Sequence, residues 1–130
     1  MAAEQLVDSE IQAAKQLITA LDEAEFDVIA ALWVYSSDAD RWRFVVAYDG
    51  SRAEIQTRYQ QAARILFDWR RAHPGNPVLD LDRVRIVSRE DPLVKGLGMV
   101  MRVESGDLRF SHNMINGVYV EDALIHRLAA

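Results

Sequence analysis

The sequence predicts an α+β domain, with two principal helices on a mostly antiparallel sheet of about six strands, in the order α-β-β-α-β-β-β-β. Three observations carry this. Residues 5–24 and 51–71 repeat apolar side chains at helical spacing, and shorter runs between and after them have the apolar, β-branched and aromatic character of strands. Asn116-Gly117 is flanked by apolar residues on both sides, the strongest short hairpin signal. No linker, repeat or low-complexity tract divides the 130 residues, so one domain is expected.

In the first helix Val7, Ile11, Ala14, Ile18 and Leu21 form one stripe, and Glu4, Asp8 and Glu10 favour its positive end. Residues 27–35 (DVIAALWVY) are too short and too apolar for a surface helix and read as a strand covered on both faces. Residues 41–48 (RWRFVVAY) complete a hairpin. Ser51 and Glu54 form a capping box for the second helix, whose stripe is Ile55, Tyr59, Ala62, Leu66 and Trp69. HPGNP stops it. Residues 83–88 make a third strand. Asp91-Pro92 opens one or two helical turns ended by Gly96 and Gly98. MVMRVES, LRFSHNMI and VYVEDALIHRL then read as a three-strand meander, although residues 120–127 also have helix-compatible spacing.

A loop at Ser37–Asp40 places Tyr35 opposite Trp42, Trp33 opposite Phe44 and Ile29 opposite Tyr48. Side chains alternate along a strand, so Trp33, Tyr35, Trp42, Phe44 and Tyr48 share one face. The other face is small and aliphatic: Ala30, Leu32, Val34, Val45 and Ala47. If the helices cover the aliphatic face, the aromatic one is a candidate interface. The plainer alternative is that the aromatics are the helix-facing core. In the meander, tight turns at Gly106-Asp107 and Asn116-Gly117 pair Glu104 with Arg109, Ser111 with Asp122 and His112 with Glu121.

His112 beside Glu121 is the most pointed constellation, because a carboxylate can orient an imidazole and raise its basicity for acid–base work. Arg102 and Arg109 are candidates for holding an anion. The bland counterpart is a core histidine satisfied by a carboxylate. Ser111 points away from His112, so a Ser-His-Asp triad is not expected. No metal-ligand spacing, phosphate loop or dinucleotide motif is present, and no cofactor or metal is expected. The absence of cysteine removes disulfides and thiolate chemistry.

Net charge is −5, which disfavours general nucleic-acid binding. Nine acids and one base lie in residues 1–40, against ten arginines and six acids in residues 41–90. An acidic first helix beside a basic second one is the expected consequence. There is neither a signal-peptide pattern at the N-terminus nor an apolar run of about 20 residues, so a cytoplasmic, non-membrane protein is expected.

The segments AALWVY, WRFVVAY, VRIVSREDPLV and INGVYVEDALIHRL resemble a family of small bacterial proteins with no assigned activity. The resemblance implies a single α+β domain and assigns no residue a role. The sequence therefore leads to a non-catalytic binding or protein-interaction domain, expected to be a homodimer through the aromatic sheet face. The alternative is a small enzyme using His112 with Glu121. A small-molecule or protein ligand is compatible with either.

Overall fold

The structure is a computed structural model and describes residues 6–129. Its elements are α1 (Asp8–Glu23), β1 (Val28–Ser36), β2 (Arg41–Tyr48), α2 (Ile55–Ala72), β3 (Val84–Ser88), α3 (Pro92–Val100), β4 (Leu108–Ile115) and β5 (Val118–Leu128). Glu4 and the first residue of the predicted first helix lie outside the described residues. The class is α+β as expected, but with three helices and a five-stranded mixed sheet, ordered β3-β2-β1-β5-β4. The mixture arises because α2 carries the chain back from the end of β2, so β3 pairs with β2 in parallel. Residues 120–127 belong to β5 and are strand, not helix.

The β1–β2 hairpin has the predicted register, with Tyr35 opposite Trp42 and Trp33 opposite Phe44. An irregularity between Val28 and Ala30 puts Val28, not Ile29, opposite Tyr48. The assignment of faces to helices is the reverse of the expected one. Trp33, Phe44 and Tyr48 are fully buried, and Tyr35 and Trp42 nearly so, among Ala14, Leu17 and Leu21 of α1 and Ala62 and Leu66 of α2. The five aromatics are therefore core, and the interface expected there does not exist. Volume explains this: two long helices stand off a sheet by about 10 Å, and large rings fill that layer.

Ala30, Ala47 and Ala123 of the opposite face instead admit α3. The Asp91 carboxylate accepts from the backbone of Leu93 (3.1 Å) and Val94 (3.2 Å), and Pro92 stands in the first turn. The helix then runs through Gly96 and Gly98 rather than stopping. Each interior glycine costs about 1 kcal/mol of helix propensity, which burial of Leu93, Val94 and Leu97 outweighs.

This extension removes the expected sixth strand. Residues 101–107 keep one isolated bridge, Val103 to Leu128, and Glu104 does not pair with Arg109. Beyond the last β1 contact (Tyr35 opposite Asp122), β4 and β5 continue as a two-stranded arm. Its tip returns to α3: the Asn116 amide donates to the Pro92 carbonyl at 2.9 Å, and Ile115, Val118 and Val120 pack in the same cluster as Leu93 and Leu97. Self-covering by the arm thus does part of what dimerisation was expected to do.

Candidate functional site

His112 sits in β4 with a left-handed φ of 52° and an exposed side chain. Its Nδ1 lies 3.2 Å from the Tyr119 hydroxyl, and no hydrogen bond joins it to Glu121. Ser111 pairs with Asp122 as predicted. Arg109 is committed: its guanidinium grips Asp122 through Nε at 2.6 Å and a second nitrogen at 2.5 Å, and it lies 5.5 Å from the Trp42 ring centre. Arg102 stands 3.8 Å from Glu104 in the segment before β4. His112 and Glu121 therefore form no hydrogen-bonded pair, and Arg109 is already taken by Asp122. Recesses lined by described residues lie between the α1–β1 loop and α2, beside β3, against the outer face of α2, and at the ends of β2 and β3. His112 and Glu121 line none of these. Among the described residues no group of three or more acids and histidines could hold a metal ion.

The histidine held by a carboxylate is His126 instead, through Nδ1 alone, its Nε2 being buried without a hydrogen-bond partner among the described residues. Its side chain is buried against Phe44, with ring centres 6.1 Å apart, and Nδ1 lies 2.8 Å from Asp107 and 3.0 Å from the Gly106 carbonyl. Asp107 also meets Lys15 of α1 at 3.3 Å. The β1–β5 register shifts between Ala31 and Leu32, which inserts His126 as an extra residue. Simple alternation cannot place a residue at such a bulge.

The Asp122 carboxyl is held below the usual carboxylate range, chiefly by the Arg109 hydrogen bonds, with desolvation opposing and the Arg109 charge assisting. A depressed folded-state pKa contributes stability above the unfolded value of about 3.9, lost as pH falls through the lower folded value. Asp122→Asn should therefore be less stable than the parent at neutral pH, and the gap should close as the medium is acidified below about pH 4. Urea midpoints across the acid range test this; a gap independent of pH would show that the pair contributes nothing through ionisation.

The two sheet edges differ. On β3, the Ile86 amide donates to the Tyr59 hydroxyl of α2 at 2.9 Å, so a side chain caps that edge. On β4 none of the eight residues is buried, and among the described residues no other element hydrogen-bonds its backbone outside the β5 ladder. Leu108 (43% exposed), Met114 (62%) and neighbouring Tyr119 (55%) add apolar surface. This edge was not singled out in the sequence, because a sixth strand was expected to flank it.

Comparison with protein families, curated proteins and solved structures finds no match for the chain. The resemblance to small bacterial proteins therefore lends no residue a role. No described helix is long and apolar enough to cross a membrane.

Proposed function

We propose that the chain is a non-catalytic protein-interaction domain that works as a homodimer, with β4 as the contact strand. The observation that carries this is the asymmetry of the edges: β3 is capped by Tyr59, whereas β4 offers a ladder of unpaired backbone groups beside Leu108 and Met114. Natural edges are usually blunted by Lys, Pro or a covering element. β4 has no Lys or Pro, its single arginine is already matched by Asp122, and the left-handed His112 leaves the β5 register unshifted, with Ser111 opposite Asp122 and Asn113 opposite Val120.

A second copy is the partner this strand suits. Laid antiparallel about a two-fold axis between Ser111 and His112, β4 sets Leu108 against the copy's Ile115 and Arg109 against its Met114. No two like charges then meet.

Light scattering after size exclusion should return a dimer mass at micromolar concentration. The double substitution Leu108→Lys and Met114→Lys should return a monomer with unchanged circular dichroism, because both side chains are exposed in the single chain. A wild-type monomer at high concentration, or a lysine variant that stays dimeric, would overturn the proposal.

A further inference from the structure

The parallel strands β2 and β3 end side by side, with Tyr48 opposite Ser88, and the residues that follow, Asp49 and Arg89, form an ion pair at 2.7 Å. Next to this pair a recess of about 460 Å³ opens between the sheet and α3. That volume falls in the usual range for small-molecule sites, and the C-terminal ends of parallel strands are where such sites recur. Its apolar lining comes from Ile29, Gly98, Ala129 and Met99, the last 79% exposed. A methionine so exposed at the mouth of a recess suits a flexible, polarisable contact to an apolar ligand.

The rim carries two acids and two cations, which differ in how they are partnered. Asp49 is matched by Arg89, and the Glu90 carboxylate accepts the Arg52 amide at 2.9 Å at the start of the turn leading into α2. Lys95 also lines the recess and makes no ion pair or side-chain hydrogen bond among the described residues. Asp49 is thus neutralised by Arg89 and Glu90 is turned toward a backbone amide, while Lys95 is the rim cation without an ion pair among the described residues.

We infer that this recess binds a small monoanionic amphiphile, an apolar chain or ring bearing one carboxylate, with the body against Ile29 and Met99 and the head on Lys95. The site lies on α3 and the ends of β2 and β3, so it is independent of the β4 contact and can be tested whether or not the chain dimerises.

Octanoate is a suitable probe, with octylammonium as the same tail under the opposite charge. Titration followed by amide shifts should saturate with a Kd of about 1 mM or tighter, which is fair for so few heavy atoms. The moving amides should be those of Ile29, Lys95, Gly98, Met99 and Ala129. Lys95→Glu should weaken octanoate about tenfold, combining the lost ion pair with new repulsion, and should leave the fold intact because the side chain is exposed. Octylammonium should bind the parent more weakly than octanoate does. The inference is overturned if octanoate gives no saturable shifts, if they map elsewhere, if octylammonium binds as well, or if Lys95→Glu binds undiminished.

Discussion

Trp42→Glu should unfold the protein rather than dissociate it. Trp42 is 3% exposed, pairs with Tyr35 across the hairpin at a ring-centre distance of 5.5 Å and carries the Arg109 guanidinium over its face. Truncating a buried tryptophan costs about 3–5 kcal/mol, and a carboxylate left in its place adds desolvation or must take up a proton. The sum, about 5 kcal/mol or more, reaches the whole stability of an ordinary domain. Far-UV circular dichroism should show lost structure at room temperature. Trp42→Phe, which keeps a ring between Tyr35 and Arg109, should fold and lose about 1–3 kcal/mol in urea titration. A folded Trp42→Glu protein changed only in assembly state would mean that the ring faces a partner and not α1 and α2.

That experiment turns on the point where the sequence left two readings open. Five of the six strand positions, most of the hairpin register and the pairing of Ser111 with Asp122 were legible, because period-2 alternation and turn chemistry act over a few residues. Which face the long helices choose is a question of filled volume between layers, which alternation does not encode. The fate of His112 and His126 was illegible for a different reason. A residue added at 126 in β5 and a left-handed φ at 112 in β4 each break the parity from which side-chain directions were read. His112 is exposed, and His126, to which the sequence assigned no role, is the buried histidine. The uncapped β4 edge depended in turn on α3 running through two glycines. There, tertiary burial overrode a local stop signal.

Gly96 is where that override can be tested, and Gly96→Val should destabilise the protein by about 2–3 kcal/mol. A Cβ at this position would lie 2.6 Å from both Asn116 Cβ and Ile115 Cγ2, well inside contact distance. Two terms compete when a helical glycine is replaced. Helix propensity improves by up to about 1 kcal/mol for alanine and by less for a β-branched residue. Overpacking costs about 1–3 kcal/mol, and more when the neighbour cannot give. Asn116 is held by its hydrogen bond to Pro92 and sits in the turn with a left-handed φ of 49°, so it has little room to move. Gly96→Ala brings the same Cβ contacts and should therefore already be destabilising, by about 1 kcal/mol after the gain in helix propensity, and valine clearly worse. The strain should appear in the arm. Amide exchange at residues 115–120 should quicken in Gly96→Val, while β1 and β2 retain protection in proportion to global stability. The arm carries Met114 of the proposed contact strand and its neighbour Tyr119 of β5, so the same substitution should weaken dimerisation without altering any side chain on β4. Stabilisation by either substitution would show that the tip does not rest on α3 in solution. The edge would then lack the rigid support that the proposed pairing requires.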